Sequence, residues 1–376
     1  MKNSKTRVMP SGETLISAYL HVRANKEAIP LSGTFEITPR CNFSCRMCYV
    51  HENVSPSMEM SAQEWIELGR TARDAGMLFL LITGGEPLLR KDFPEIYTEL
   101  RRLGLMVSIN TNASLLTDEL LDVLVKNAPT RVNVTLYGGS SETYRNLCRN
   151  DSFETVTRNI RRMKEAGLPV KINCSVTPYN AHDVEYIHKF AKELNIPVQS
   201  AAYMYPPVRV NGEVYGSAPD RFTAEDAAKY TLRCREQVLT PEQLAASLYM
   251  PVDEECCRDV GEPMACRAGR TAFWVTWDGK MMPCGTFPSS FSYDIRELGF
   301  LNAWQKIRED VLAIRMPKEC TGCGKKGQCA ICAASCIAET GTTTIKPEYI
   351  CTMTHRLLEM TAEKYAPGGK ENEAES

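Results

Sequence analysis

Apolar runs of strand length alternate with segments of helical periodicity between residues 34 and 238. Gly76, Gly104 and Gly167 stand just beyond three of the helical segments, where a left-handed residue often ends a helix. The predicted strands are 34–38, 77–83, 105–111, 131–137, 169–176 and 197–204. The predicted helices are 61–75, 93–103, 117–127, 153–166, 184–195 and 223–238, with a weaker pattern from Glu13 to Ala24.

Successive strand–helix units predict parallel strands joined by right-handed crossovers. A closed barrel of this kind has about eight units. The shorter run found here therefore predicts the α/β class and an open, partial (β/α)6 TIM-like barrel. Ligands of such folds bind at the carboxyl ends of the strands, so candidate chemistry is expected where each strand ends.

Three cysteines follow the first predicted strand with the spacing C-x3-C-x2-C, namely Cys41, Cys45 and Cys48. Three thiolates from one short loop suit a cubic four-iron, four-sulfur cluster, which normally takes four cysteine ligands. One iron would then lack a protein ligand and could bind another molecule. The alternative is a zinc site completed by His51, because zinc also accepts three Cys and one His.

This loop, with the aromatic Tyr49 directly after its third cysteine, resembles the signature of the radical S-adenosylmethionine (SAM) superfamily. The resemblance implies that SAM binds the open iron through its amino and carboxylate groups. It also implies reductive cleavage of SAM to methionine and a 5′-deoxyadenosyl radical, which abstracts hydrogen from unreactive C–H bonds. The superfamily is built on a partial barrel, in agreement with the strand count.

Further strand ends resemble the SAM-binding elements of this superfamily. By resemblance, the residues that contact SAM are Tyr49, Gly84, Gly85, Glu86, Ser108, Asn110 and Arg149. From the residues alone, paired glycines also suit an ordinary turn, and Arg149 and its competitor Arg145 also suit a solvated surface. Asn112 occupies the position of the family's Thr-Asn-Gly turn, where this chain has Ala113 for the glycine.

Most of the sixteen cysteines lie in a second group near the C-terminus. A strand-like run from Phe273 to Trp277, the turn Asp278-Gly279 and the run from Lys280 to Cys284 predict a β-hairpin that brings Cys266 and Cys284 together. Beyond it, the spacing C-x2-C-x5-C contains several glycines. Cysteines of this density favour iron–sulfur clusters, with structural zinc as the alternative.

The second group resembles the SPASM domain, which follows the barrel in many radical SAM enzymes and usually holds two auxiliary clusters. By resemblance, the first cluster would take Cys257 or Cys256, Cys266, Cys284, and Cys332 or Cys336. The second would take Cys320, Cys323, Cys329 and Cys351. The chain departs from the family spacing after Cys329, because Cys332 follows after two residues and Cys336 after three more.

These patterns predict four parts. They are an N-terminal extension over 1–33, a radical SAM partial barrel over 34–240, a SPASM domain over 250–360 and a charged tail over 361–376. Cys148, Cys174 and Cys234 have no nearby partner in the sequence, and we expect them to be packing residues.

The charge balance favours neither nucleic acid nor an anionic membrane surface, since 44 basic residues face 46 acidic ones. The longest apolar run is 77–82, far short of the roughly 18 residues that span a bilayer. The first residues lack the apolar core of a signal peptide. We therefore expect a soluble cytoplasmic protein whose reduced thiols can hold clusters.

Relatives with this two-part layout mostly modify peptides, and three hypotheses follow. The first is oxidation or cross-linking of a side chain in a ribosomally made peptide or protein. The second is a small-molecule reaction such as tetrapyrrole side-chain decarboxylation, and the third is a noncatalytic iron–sulfur or zinc scaffold. The resemblance also implies a reductant of the flavodoxin or ferredoxin type.

Two departures from the peptide-modifying relatives bear on the substrate. Sulfatase maturases carry an Asp base directly after the cysteine that Cys284 matches, but this chain has Gly285, which argues against sulfatase maturation. No catalytic base is assigned. The 33 residues before the first strand are too few for a leader-peptide-binding domain. Either a separate protein recruits a peptide substrate, or the substrate is something else.

Overall fold

The structure is a computed structural model that describes residues 15–50, 52, 54–249 and 263–366. Its elements in chain order are α1 Leu15–Lys26, β1 Ser32–Glu36, α2 Ala62–Asp74, β2 Phe79–Thr83, α3 Phe93–Arg102, β3 Met106–Thr111, α4 Asp118–Lys126, β4 Arg131–Thr135, α5 Ser141–Leu147, α6 Phe153–Glu165, β5 Val170–Ser175, α7 Val184–Glu193, β6 Val198–Ala201, α8 Ala224–Glu236, α9 Pro241–Ala246, β7 Ala272–Val275, β8 Lys280–Met282, β9 Tyr293–Asp294, α10 Ile295–Leu298, α11 Phe300–Ala313, α12 Ala333–Thr340 and α13 Glu348–Tyr365. The predicted barrel strands and helices are all present.

One sheet contains all nine strands of the described residues, in the order β6-β5-β4-β3-β2-β1-β7-β8-β9. Strands β1 to β6 pair in parallel with their sequence neighbours, as expected for strands separated by helical crossovers. The predicted hairpin is formed by β7 and β8, which pair antiparallel. The predicted fold class, a partial (β/α)6 barrel with a Cys-rich C-terminal region, is confirmed.

The two faces of the sheet differ in polarity, because successive strand residues point to opposite sides. Phe35 of β1 packs on Trp65 of α2 with ring centroids 5.1 Å apart, so its face is the buried helix side. Glu36 therefore belongs to the inner face of the barrel. In β3 and β4, the neighbouring residues Asn110 and Asn133 share this inner face and hydrogen bond at 2.9 Å.

The hairpin continues the barrel sheet, which the sequence did not predict. Strand β7 pairs in parallel with β1, so that Ser32 lies opposite Ala272 and Thr34 opposite Trp274. The Ser32 amide also donates to the Thr271 carbonyl at 2.9 Å. This pairing explains why β1 begins at residue 32 rather than 34. The Cys-rich region is thereby joined to the strand that leads into the first cysteine loop.

Other differences from the predicted elements are local. Strands β4 and β6 end at Thr135 and Ala201, earlier than predicted. The short helix α5 was not predicted from its polar sequence, and Ser140 caps it by accepting from the Thr143 amide at 3.2 Å. Within residues 15–50, 54–249 and 263–366, no helix is both long and apolar enough to cross a membrane.

Candidate active site

The C-x3-C-x2-C loop lies at the carboxyl end of β1, and its three thiols are partly buried. Helix α5 holds this loop through its last carbonyls. The Ser44 amide donates to the Cys148 carbonyl and the Arg46 amide donates to the Leu147 carbonyl, both at 3.1 Å. The Phe43 amide points at the Cys41 sulfur at 3.3 Å. The loop conformation is therefore fixed by backbone hydrogen bonds.

Asn42 connects this loop to the turn after β3 and to the segment between α5 and α6. Its side-chain amide donates to the Ser114 hydroxyl at 2.8 Å, and its side-chain oxygen accepts from Asn112 at 3.0 Å. Its carbonyl accepts from the Asn150 side chain at 3.1 Å. The Asn112 nitrogen also lies 3.7 Å from the Cys41 sulfur. Asn112, which resembles the middle residue of the family's turn, thus borders the cysteine loop directly.

Ala113 adopts the left-handed conformation, with φ of 59°, and is fully buried. Its carbonyl accepts from the Asn159 side chain at 2.8 Å, and its amide donates to the Thr111 hydroxyl at 2.9 Å. A glycine adopts this conformation without strain, which accounts for the glycine of the family motif. This chain keeps the conformation with an alanine, held by hydrogen bonds on both sides.

Gly84 and Gly85 pack against the backbone that leads into the cysteine loop. A Cβ at Gly84 would lie 2.4 Å from the Thr38 carbonyl oxygen, and one at Gly85 would lie 2.4 Å from the Arg40 carbonyl oxygen. The Gly85 amide donates to the Thr38 carbonyl at 2.7 Å. No larger residue fits at either position without a backbone shift, so the ends of β1 and β2 meet closely beside the loop.

Glu86 is fully buried and accepts three hydrogen bonds. The donors are the Thr111 hydroxyl at 2.7 Å, the Asn112 amide at 2.6 Å and the Leu88 amide at 3.0 Å. Burial raises the pKa of Glu86 to about 7, although these three donors oppose that shift. Its carboxyl group ties the end of β2 to the turn after β3.

The remaining predicted SAM contacts fall into different environments. Ser108 and Asn110 are on the inner face of β3. Arg149 is exposed, with φ of 52°, between two residues that hydrogen bond to the cysteine loop. Its competitor Arg145 is exposed and pairs with Asp151 at 3.0 Å. Arg149 thus lies beside the cysteine loop, whereas Arg145 forms an ion pair with Asp151.

The inner face of β1 carries a cluster around the buried Glu36, formed with Arg209 and Trp274, which we call the Glu36 cluster. Arg209 donates two hydrogen bonds of 2.9 Å to the Glu36 carboxylate, and the Trp274 indole nitrogen donates to it at 2.8 Å. Arg209 also donates to the Gly285 carbonyl at 3.2 Å. Tyr49 lies near this cluster.

The Glu36 cluster was not predicted, because Glu36 and Arg209 are far apart in the sequence. A carboxylate inside the otherwise apolar run of the first strand was the available signal. Buried carboxylates almost always have a partner, so a buried cation or donor could have been expected. Through the hydrogen bond from Arg209, the cluster contacts Gly285, which directly follows Cys284.

Four cysteines predicted to act together line one cavity of about 220 Å³. These are Cys320, Cys323, Cys329 and Cys351, which come from the C-x2-C-x5-C loop and from α13. Lys325, Lys326 and Lys346 are also part of the lining. We call this cavity the second auxiliary site.

A neighbouring cavity of about 110 Å³ is lined by Cys266 and Cys332, and also by Cys320 of the second auxiliary site. Burial raises the pKa of Cys284 to about 11, and the nearby Cys332 and Cys266 thiols add to this rise. We call Cys266, Cys284 and Cys332 together the first auxiliary site. Cys336 is fully buried within α12. Cys256, Cys257 and His51 lie outside the described residues.

Sequence comparison identifies the superfamily. A family model described as the radical SAM superfamily matches residues 35–191. A probable GTP 3′,8-cyclase from Methanothermobacter thermautotrophicus is 30% identical over 275 residues, which cover 70% of this chain and 87% of that protein. The chain belongs to the radical SAM superfamily. The resemblance seen in the cysteine loop is confirmed, and this radical SAM protein is an enzyme.

Another relative of this radical SAM enzyme has a different named activity, and two solved structures share its fold. An AdoMet-dependent heme synthase from Methanosarcina barkeri is 27% identical over 330 residues, covering 82% of this chain and 92% of that protein. Streptococcus suis SuiB bound to its precursor peptide SuiA superposes with a TM-score of 0.67 at 19% identity, over 93% of this chain and 84% of SuiB. The structure of anSMEcpe with bound AdoMet gives 0.67 at 18% identity, over 89% of this chain and 97% of that one.

The residues of this radical SAM enzyme fit the cofactors that its superfamily implies, a [4Fe–4S] cluster and SAM. Cys41, Cys45 and Cys48 stand on one short loop at the strand end where ligands bind, and an N–H group faces the Cys41 sulfur. In the described part of the chain, no three Cys, His, Asp or Glu side chains are positioned to hold a single metal ion.

Proposed function

We propose that this enzyme cleaves SAM reductively and abstracts a hydrogen atom from a side chain of a ribosomally made peptide or protein, which is then oxidised or cross-linked. The cluster held by Cys41, Cys45 and Cys48 would supply the electron that cleaves SAM. The observation that carries this proposal is the position of these thiols, on a backbone-anchored loop at the carboxyl end of β1.

The chain's own residues would orient SAM and protect it from water. Gly84 and Gly85 allow backbone to approach the loop closely, and Ser108 and Asn110 present polar groups on the inner face of the barrel. Arg149, which is exposed beside the cysteine loop, would pair with the SAM carboxylate. Tyr49 would complete the site, since it directly follows the third cysteine.

We also propose two auxiliary clusters in a SPASM domain over residues 250–360, after a barrel over 34–240. The second auxiliary site would hold one cluster through Cys320, Cys323, Cys329 and Cys351, which line one cavity. The first would use Cys266, Cys284 and Cys332, with Cys257 or Cys256 as the fourth ligand. Cys332 is preferred over Cys336 because Cys332 lines a cavity with Cys266, whereas Cys336 is buried within a helix.

A peptide substrate is supported by the structural neighbours, which include SuiB with a precursor peptide and anSMEcpe with the Kp18Cys peptide. A separate leader-peptide-binding protein would recruit that substrate. A flavodoxin- or ferredoxin-type protein would supply electrons.

Anaerobic reconstitution tests the proposal. With SAM and dithionite, the wild type is expected to form methionine and 5′-deoxyadenosine and to hold about twelve irons per chain, from three cubes of four. Replacing Cys41, Cys45 and Cys48 by Ala is expected to leave about eight irons and no deoxyadenosine. The matched control is Cys174→Ala, which removes a buried thiol of β5 and should change neither result.

Two results would contradict the proposal. Zinc lost with the three thiols would mean that the loop holds zinc, and an absence of deoxyadenosine from the fully loaded protein would favour a noncatalytic scaffold.

A second candidate function is the modification of a tetrapyrrole side chain. It is favoured by the match to the AdoMet-dependent heme synthase, which extends over 82% of this chain and 92% of that protein. Substrates deuterated at the side chains discriminate the two candidates. Deuterium is expected in 5′-deoxyadenosine from a peptide encoded beside this chain, and not from an iron tetrapyrrole with propionate groups. The reverse result would establish the second candidate.

A further inference from the structure

We propose that the Tyr205 hydroxyl donates a hydrogen bond to the Cys332 sulfur and thereby raises the reduction potential of the cluster at the first auxiliary site. The Tyr205 oxygen lies 3.9 Å from that sulfur, within hydrogen-bond distance for sulfur. Tyr205 follows β6 of the barrel, and Cys332 precedes α12. This inference rests on the proposed auxiliary cluster.

The direction of the hydrogen bond follows from the chemistry of the two groups. A cysteine bound to iron is a thiolate, which can only accept, whereas a phenol is protonated at neutral pH and can donate. The Cys332 sulfur also accepts from the Ser335 amide at 3.4 Å. Tyr205 would therefore add a second donor to a sulfur that already has one from the backbone.

A network of buried side chains fixes the position of Tyr205. Its ring lies against that of Tyr203, with centroids 4.8 Å apart, and the Tyr203 hydroxyl donates to Glu339 at 2.8 Å. Glu339 accepts two hydrogen bonds from Arg221, at 2.6 and 3.0 Å. The Arg221 guanidinium lies 3.8 Å from the centroid of the Tyr349 ring.

This network joins the barrel to both auxiliary sites. Glu339 is in α12, which begins just after Cys332, and Tyr349 is in α13, two residues before Cys351. The Arg221 and Glu339 side chains are only 10% and 5% exposed, so their ion pair is largely shielded from solvent. Tyr203 and Tyr205 are consequently held by contacts on several sides. A donor that is already oriented needs little rearrangement when the cluster changes its charge.

Hydrogen bonds to cluster sulfurs stabilise the reduced, more negative state and make the potential more positive. Removing the Tyr205 hydroxyl should therefore make reduction of this cluster harder. Tyr203 offers a matched control, because its hydroxyl faces Glu339 and its removal also deletes one phenol oxygen from the same pair of rings.

The test is an EPR-monitored redox titration of the full-length reconstituted protein, without SAM or substrate. The signal of the first auxiliary site is identified by its loss in Cys332→Ser. Tyr205→Phe is expected to shift the midpoint of this signal to a more negative potential and to leave the other signals unchanged. Tyr203→Phe is expected to leave all midpoints unchanged. A 3-fluorotyrosine at position 205, a stronger donor, is expected to shift the same midpoint to a more positive potential.

Several outcomes would overturn the inference. They are an unchanged midpoint in Tyr205→Phe, or an equal shift in Tyr203→Phe. If Tyr205→Phe loses iron, the fluorotyrosine protein decides, and an unshifted midpoint there refutes the role. Iron content separates this failure from that of the proposed function. If the parent protein lacks the auxiliary irons, the cluster assignment fails, whereas a full iron content with an unresponsive midpoint refutes only the role of Tyr205.

Discussion

Gly285 and Trp274 share one small space, since a Cβ at position 285 would lie 2.7 Å from Cζ2 of the indole ring. The ring cannot move away without losing its hydrogen bond to Glu36. This contact gives a structural reason for the absence of an acid directly after Cys284, which sets the chain apart from the sulfatase maturases. The same position is instead bound to Arg209 through its carbonyl.

We predict that Gly285→Ala lowers the free energy of unfolding by about 1–3 kcal/mol, because the added methyl group overpacks the site. Anaerobic urea unfolding measures this loss. Gly324→Ala is the control, since a Cβ there meets no atom within 4 Å. The double variant Gly285→Ala/Trp274→Phe should recover part of the loss. Equal effects in both single variants would contradict the steric explanation.

The raised pKa of Glu86 predicts a pH-dependent stability difference from Glu86→Gln. The folded-state pKa is about 7 against an ordinary value of 4.5, so the folded protein binds this proton more tightly than the unfolded chain. The stabilising contribution is complete below about pH 4.5 and is lost as pH rises through about 7. Between pH 6 and pH 8 the wild type should lose about 1.4 kcal/mol relative to Glu86→Gln.

Urea unfolding of both proteins across this pH range measures the difference. Parallel stability curves would show that the three hydrogen bonds to Glu86 cancel the effect of burial.

The substitution Arg149→Gly should change the affinity for SAM without lowering the free energy of unfolding. Glycine tolerates the left-handed φ of 52° without strain, so Arg149→Gly should keep the free energy of unfolding or raise it by up to about 1 kcal/mol. Loss of a charge-assisted hydrogen bond to the carboxylate should weaken SAM binding about tenfold or more. Anaerobic calorimetry measures the affinity. Arg145→Ala is the control, and an equal loss there would argue against a specific role for Arg149.

We predict opposite effects on iron content for Cys332→Ser and Cys336→Ser. Cys332→Ser should lose about four irons per chain, because it removes a ligand of the first auxiliary site. Cys336→Ser should keep its iron and lower the free energy of unfolding by about 1–3 kcal/mol, since it places a hydroxyl in a fully buried position. Iron quantification and urea unfolding measure the two effects, and the reverse pattern would reassign the ligand.

Much of the barrel was predictable because its signals are local. Each strand of the barrel is a short apolar run and each following helix has its own periodicity, so six units could be placed to within a few residues. The pairing of β1 with β7 was not predictable, because it joins Ser32 to Ala272 across most of the chain. Helix α5 escaped prediction since its few residues are mostly polar.

The candidate site likewise has parts that could be predicted from the sequence and parts that could not. The cysteine loop and the Gly84-Gly85-Glu86 element are continuous stretches, and their spacing was sufficient to find them. The hydrogen bonds of Asn42, the pairing of Glu36 with Arg209 and the approach of Tyr205 to Cys332 depend on tertiary packing. Cys148 illustrates most directly what the sequence cannot predict. It was expected only to pack, yet its carbonyl anchors the loop through a hydrogen bond that any residue type could make.

The position of β7 beside β1 has a consequence for biosynthesis. During translation the strand carrying the first cysteine loop is made early, but its outer neighbour emerges about two hundred and forty residues later. Until then β1 has an unpaired edge of the kind that promotes aggregation. The nascent polypeptide therefore reaches its protected form only after the hairpin has left the ribosome.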